Sequence, residues 1–305
     1  MRPSWRVGLL AWLRQPSTGR GVFLILISTL GGSVMIAIVK TLAEDLHPLE
    51  IGFFRSLFSL LILAPFLLGH GLQVFRTDHL ALHIGRGLIT TSAILLSFIA
   101  ISLTPIATVA SLNFTSPLFA VILAVVVLGE HWGRGRVLGL AFGFAGTLAI
   151  VRPGYTIFSI GPLVTLGSAF GFAVAMVLVK ILGRTESSLV VTFYTLLFGL
   201  PLAAAGAYPF WTWPTPGDWA AIAVMSLIGA FHQWSFVQAF KDADVVAVAP
   251  LTFTSLIWAT VLGHFLFAEP LDPWIWIGGS LIFAGATCVI IVEGRQNGGQ
   301  GRPVA

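Results

Sequence analysis

Ten apolar stretches, each long enough to cross a bilayer, divide the chain into two groups of five that share residues at a nearly constant spacing. Val39-Lys40 ends the first stretch as Val179-Lys180 ends the sixth, and Phe53-Phe54 with Phe58 recurs as Phe193-Tyr194 with Phe198, 140 residues on. Phe114-Thr115-Ser116 recurs as Phe253-Thr254-Ser255, Gly129-Glu130 as Ala268-Glu269, and Phe144-Ala145-Gly146-Thr147 as Phe283-Ala284-Gly285-Ala286, now 139 residues on. An odd number of crossings per copy sends the second copy through the membrane in the opposite sense. The pattern therefore predicts an all-α integral membrane protein, ten transmembrane helices arranged as two inverted five-helix repeats, an architecture of secondary transporters.

The predicted spans lie near 21–39, 49–68, 82–102, 106–128, 136–151, 160–180, 189–208, 218–239, 245–267 and 273–292. With 57% hydrophobic and 9% charged residues, the chain carries more apolar surface than a soluble core can bury; globular proteins are about 25% charged. Ten helices of about 20 residues use roughly 200 positions and leave no room for a separate soluble domain. The expected organisation is a cytoplasmic amphipathic leader over 1–20, a first repeat over 21–151, a periplasmic linker over 152–159, a second repeat over 160–292 and a disordered cytoplasmic tail over 293–305. The leader mixes Trp5, Leu9, Leu10, Trp12 and Leu13 with four arginines and has no small-residue cleavage site, so it reads as an interfacial segment rather than a signal peptide.

A net charge of +4 suggests nucleic acid or anionic lipid as a partner until the charges are placed. Thirteen of the 16 Lys and Arg residues fall on one side of the predicted spans, with only Lys40 and Arg152 on the other and Arg55 within a span. Excess Lys and Arg mark the cytoplasmic side, so both termini are expected there, in a bacterial inner membrane. The expected partners are a small-molecule solute and membrane lipids, with no nucleic acid, in a monomer or weak homodimer.

The single cysteine, Cys288, excludes an intrachain disulfide and a Cys-based metal cluster. Neither His-Glu-x-x-His, Gly-x-Ser-x-Gly nor a phosphate-binding glycine loop occurs, which argues against an intramembrane enzyme. No cofactor or metal is expected. Acidic residues fall at span ends or in loops, so no carboxylate relay for protons or sodium is visible. His232 is the one mid-span group that titrates near neutral pH, and proton coupling would use it; a carrier without a coupling ion fits equally well.

Phe53-Phe54-Arg55, then Phe114-Thr115-Ser116-Pro117-Leu118 with Gly129-Glu130, and in the second half Pro250-Leu251, Thr254-Ser255-Leu256 and Glu269-Pro270 resemble the EamA-type proteins of the drug/metabolite transporter superfamily. The resemblance runs from about residue 20 to 292 as two units of five helices. It implies a ten-helix basket with cytoplasmic termini and a central cavity lined mainly by spans 1, 3, 4, 6, 8 and 9. It also implies transport, in either direction, of small organic metabolites: amino acids, nucleotide-like compounds such as S-adenosylmethionine, vitamins such as riboflavin, or xenobiotics. A passive facilitator or channel for the same solutes is the alternative.

Polar side chains inside a span are costly in lipid and face the protein interior or a water-filled cavity. In the third span Arg86, Thr90, Ala93 and Ser97 share one helical face; Arg86 either holds a carboxylate or phosphate by a forked hydrogen bond or snorkels to head groups. Arg55 either meets a substrate anion or anchors to backbone carbonyls and Glu50; its counterpart in the other half is Thr195. The eighth span carries His232, Gln233, Trp234, Ser235 and Gln238, which either bind or gate a planar heterocycle or amino acid or hold the bundle together. Asn113, Thr115 and Ser116 precede Pro117 in the fourth span, and Thr252, Thr254, Ser255 and Trp258 follow Pro250 in the ninth. These two polar turns are candidate binding elements and the two prolines candidate hinges, with helix packing the alternative for any one hydroxyl. Gly139-x-x-x-Gly143 and Gly167-x-x-x-Gly171 are assigned to close helix packing, and His83 and His264 to interfacial solvation. Leucine at 232 and 238 is expected to remove transport, whereas Lys40 is expected to matter less.

Overall fold

A computed structural model describes residues 18–68, 77–128, 134–152, 160–182, 186, 188–242, 251–252 and 254–298. Among them the chain is all-α, with no strand. The helices are α1 (Thr18–Leu42), α2 (Pro48–Leu68), α3 (Leu80–Leu103), α4 (Ile106–Asn113), α5 (Ser116–Leu128), α6 (Arg134–Val151), α7 (Ile160–Leu182), α8 (Ser188–Ala207), α9 (Pro216–Asp242), α10 (Thr254–Phe267) and α11 (Pro273–Gly298). Gly19–Leu42, Leu80–Leu103, Ile160–Leu178 and Val190–Phe210 are long and apolar enough to cross a membrane, and Val137–Val151, Thr254–Phe267 and Pro273–Gly285 are shorter apolar helices. Hydrocarbon offers no hydrogen bonds, so a lipid-facing chain must satisfy its backbone internally, and helices do so residue by residue.

The fourth predicted span is two helices rather than one. Pro117 has no N–H to give the carbonyl of Asn113. The chain responds by ending α4 at Asn113 and restarting at Ser116. Across the break Thr115 N and Thr115 Oγ1 both donate to Leu112 O, at 3.0 and 2.7 Å. The carbonyl beside the interruption is thus covered without solvent. Pro250, the other hinge candidate, lies outside the described residues, and α10 begins at Thr254.

Helices from the two halves interleave: α1 packs on α9, α3 on α7 and α8, α2 on α8 and α9, α1 on α10, and α6 on α11. The α6–α11 seam is made by glycines. A Cβ at Gly146 would lie 2.5 Å from Gly278 O and one at Gly285 2.5 Å from Gly139 O, so the backbones touch with nothing between them. The core of α1, α2, α3 and α9 closes over Phe54, Phe98, Ile101, Ile222 and Met225.

One end of the bundle is tied by ion pairs between the halves. Lys40, at the end of α1, meets Glu269 just after α10. Both carboxylate oxygens of Glu269 also accept from Ile106 N, at 3.0 and 2.9 Å, so the same side chain caps α4, where an anion is favoured. Arg152, after α6, pairs with Asp272, whose Oδ1 accepts from Trp274 N at 2.9 Å as α11 begins. Lys40 and Arg152 are the two basic residues that the charge pattern places opposite the other thirteen, and both are paired. Lys40 thus has a structural partner that its place in the sequence did not announce, an acid 229 residues away.

Glu269→Ala should lower stability by about 3 kcal/mol, read as a fall in thermal midpoint of the purified protein in detergent, because it leaves Lys40 unpaired and α4 uncapped. Lys40→Met should cost less, since the carboxylate keeps its amide. Gly146→Val should cost about 2 kcal/mol or more, because the obstructing atoms belong to a backbone. Gly85→Ala, where a Cβ meets nothing within 4 Å, is the neutral control.

Candidate functional site

The eighth-span cluster divides between opposite faces of α9. His232 and Ser235 share the inward face with Met225, Ser226 and Gly229, whereas Trp234 lies with Val224, Leu227 and Phe231 on an exposed apolar stripe. Gln238 is half-buried, and the Gln233 side chain lies outside the described residues. Ser235 Oγ donates to the carbonyls of Phe231 and His232, at 2.6 and 3.1 Å, within its own helix.

His232 faces α1 closely because Gly31 and Gly32 make room for it. A Cβ at Gly32 would sit 3.0 Å from His232 Cε1. His232 Nδ1 lies 2.8 Å from Ser28 O, which can only accept, so Nδ1 carries the proton in this contact. Ser28 Oγ donates in return to His232 O at 3.0 Å. With Nδ1 engaged, Nε2 of the neutral ring is left as an acceptor, and it has no partner among the described residues. Ser28, Gly31 and Gly32 were absent from the sequence expectations, because a serine and two glycines in an apolar run carry no visible chemistry. Their signal is the repeat: Ser168 and Gly171 stand 140 residues after Ser28 and Gly31.

The two arginines have different surroundings. Arg86 Nη1 donates to Val191 O at 3.1 Å and to Thr195 Oγ1, so it pins α3 to α8 rather than reaching head groups. Arg55 has no hydrogen bond or ion pair among the described residues. Its Nε is buried, and its Cζ stands 5.9 Å from the centre of the Phe98 ring, an attractive placement over an aromatic face. The structural-anchor alternative fails on Glu50: that carboxylate accepts from Thr212 N and Thr212 Oγ1, at 3.2 and 3.0 Å, and makes no bond to Arg55.

Thr90 Oγ1, Asn113 Oδ1 and Trp258 Nε1 are, like Arg55 Nε, buried atoms without a partner among the described residues. Other candidates are spent locally: Thr115 on Leu112 O, and Thr254 Oγ1 on Leu251 O at 2.7 Å and on Thr29 Oγ1 at 2.8 Å. Ser116 is buried, Ser97 and Ser255 are half-buried, and Ser255 O accepts from Ser33 Oγ at 3.2 Å. His83 is corrected from interfacial to buried, its ring 4.6 Å from that of Tyr194 and its Nε2 3.8 Å from Glu186 Oε1. A cavity of about 240 Å³ lies between α1, α9 and α10, lined by apolar residues except Thr41, and holds none of the polar candidates. No group of His, Cys, Asp and Glu suited to a metal ion occurs among the described residues.

The chain is similar along nearly its whole length to proteins of known activity. The S-adenosylmethionine uptake transporter of Rickettsia prowazekii (strain Madrid E) is 27% identical over 277 residues, covering 91% of this chain and 94% of that protein. The riboflavin transporter of Brucella anthropi is 28% identical over 265 residues, covering 83% of this chain and 89% of its own length. A solved crystal structure matches with a TM-score of 0.62 at 20% identity, over 90% of this chain and 98% of the other, which supports the fold alone. The sequence profile of the EamA-like transporter family matches residues 19–152 and again residues 159–291. This chain belongs to the EamA-like transporter family, within the drug/metabolite transporter superfamily, and is a membrane transporter rather than an enzyme.

Proposed function

We propose that this transporter moves a small organic metabolite by alternating access between two inverted five-helix repeats, 21–151 and 160–292, from a central site that includes Arg55, Thr90, Asn113, His232 and Trp258. The reading rests above all on reciprocal contacts at the repeat spacing. Ser28 Oγ donates to His232 O at 3.0 Å, and Ser168 Oγ donates to Ala93 O at 2.7 Å; Ser168 is 140 residues beyond Ser28, and His232 is 139 beyond Ala93. Gly31 faces His232 and Ile228, and Gly171 faces Ala93 and Ile89, in the same register. The Gly146–Gly278 and Gly285–Gly139 approaches form another such pair. Contacts that swap halves in this way are what a two-fold axis between repeats would produce, and five crossings per repeat would lay that axis in the membrane plane.

A cavity is supported by the five buried polar atoms without partners among the described residues on candidate side chains, Arg86 Nε being the fifth, since unbonded polar atoms in a bilayer are retained where solute or water can meet them. The break at Phe114-Thr115 before Pro117 is one place where a helix could bend, and Pro250 is the second hinge candidate. The charge distribution favours cytoplasmic termini in a bacterial inner membrane. S-adenosylmethionine and riboflavin, the solutes for which two relatives are named, are the first to test, together with amino acids. Membrane lipids are the surrounding partner, and a monomer or weak homodimer is sufficient.

Purified protein in liposomes should give saturable uptake of at least one radiolabelled solute from this set, accelerated by the same solute loaded on the far side. Flux that rises linearly and shows no counter-stimulation would replace the carrier with a channel. His232→Leu with Gln238→Leu should reduce flux about tenfold or more, while yield in the membrane fraction stays near that of the unmodified protein. Unchanged flux would remove α9 from the site.

A further inference from the structure

The two proposed halves differ chemically where their packing agrees. Position 55 in the α1–α2–α9 group corresponds to Thr195 in the α7–α8–α3 group, Met35 to Ala175, His232 to Ala93 and Gly229 to Thr90. At these four positions one group has only small side chains, and the arginine beside them, Arg86, is bonded to Thr195 and to Val191 O. At the same positions the other holds an unbonded guanidinium and an imidazole, and Gly229 packs beside the arginine: a Cβ there would lie 2.9 Å from Met35 Sδ and in ordinary contact, 3.8 Å, with both Arg55 Nε and Arg55 Nη2. His232 is three residues along α9 from Gly229 and so on nearly the same face.

Both groups have unused bonding capacity. Thr195, the counterpart of Arg55, donates to Val191 O at 2.6 Å and accepts from Arg86. Arg55 has no such bond; its Nε is enclosed, and Glu50 on the same helix is occupied by Thr212. At His232 the bond to Ser28 O fixes the proton on Nδ1 and leaves Nε2 able to accept. A guanidinium left unpaired in a low-dielectric interior is destabilising, and what it lacks is an oxyanion, best a planar one that takes two of its N–H groups together. An acceptor nitrogen nearby asks for the opposite, a donor on the same solute.

We propose that Arg55 receives the carboxylate of the transported solute and that His232 Nε2 accepts from its neighbouring ammonium, so that the site selects an α-amino-acid head group. This rests on the transporter reading above and narrows its substrate class. Arg86, bonded across to α8, then has a structural role.

The test uses the full-length protein in nanodiscs, with methionine, tryptophan and glutamine as probes, each compared with its α-carboxamide. At least one amino acid should bind the unmodified protein about tenfold or more tightly than its amide. Arg55→Gln should reduce that preference to within about twofold, and Arg55→Lys, which keeps the charge but not the fork, should retain part of it. Without solute, Arg55→Gln should melt no lower than the unmodified protein, whereas Arg86→Gln should melt lower. Equal binding of acid and amide, or a preference that survives Arg55→Gln, overturns the proposal. So does an Arg55→Gln variant destabilised as much as Arg86→Gln, which would make Arg55 an anchor. A rise in midpoint produced by anionic lipid alone and lost in Arg55→Gln would assign the oxyanion to a head group and likewise overturn it. Saturable flux of a solute without a carboxylate, unaffected by Arg55→Gln, would sink this site and leave the transport reading standing; absence of flux for every solute would sink both.

Discussion

Hydrocarbon cannot hydrogen-bond, and the organisation of this protein follows from that constraint. A polar atom within the bundle must find a partner in the protein, meet water in a cavity, or await a ligand. Most of the hydroxyls here take the first route at short range. Ser56 Oγ donates to Gly52 O at 2.8 Å, Ser111 Oγ to Ala107 O at 2.7 Å and Thr165 Oγ1 to Gly161 O at 2.9 Å, each one turn back along its own helix. Longer reaches, such as Ser28 to α9 and Ser168 to α3, tie helices of different halves together. Once these bonds are assigned, few polar groups remain, and Arg55 is the most costly of them to leave unsatisfied.

The same constraint explains why the ion pairs between the halves sit at helix ends. Lys40, Arg152, Glu269 and Asp272 lie where helices finish or begin, and each carboxylate serves both a cation and a backbone amide at a helix start. An ion pair that also caps a helix replaces several waters at once, which is how it remains favourable while partly buried. Because each pair joins one half to the other, any movement that separates the halves at this end must break them. A carrier that opens here would have to compensate that loss from elsewhere, through solute binding or new contacts at the opposite end.

Much of this was legible in the sequence. Apolar runs of bilayer length left little choice but a helical membrane protein, and the recurrence of Phe-Thr-Ser and of acidic residues after corresponding helices identified the family before any coordinates. Individual roles were less legible, for reasons of distance. Arg86 and Arg55 look alike in sequence, each an arginine in an apolar span; what separates them is whether a hydroxyl and a carbonyl stand opposite to accept, and Thr195 lies 109 residues from Arg86. Lys40 read as an ordinary helix-end cation for the same reason. Trp234 and His232 are two positions apart, and helix geometry alone puts them on different faces, but only the packing of α1 decides which face is inside. Ser28 and the glycines beside it were overlooked because their contribution is space and one hydrogen bond, neither of which is a residue type that announces function.

A carrier built from two inverted copies has a problem that its solute does not share. If the copies were identical, the inward-open and outward-open states would be equal in energy, which suits a device that must visit both. An amino acid, however, has one carboxylate end and one ammonium end, and a fully symmetric cavity would offer it two equivalent and incompatible poses. The proposed solution separates the two demands by residue. Ser28 and Gly31 make the contacts that Ser168 and Gly171 repeat, so the scaffold can rock with little bias, while 55 and 232 differ from their counterparts in the groups they offer a solute. Departures from the repeat, more than the repeat itself, then locate the groups that recognise the solute.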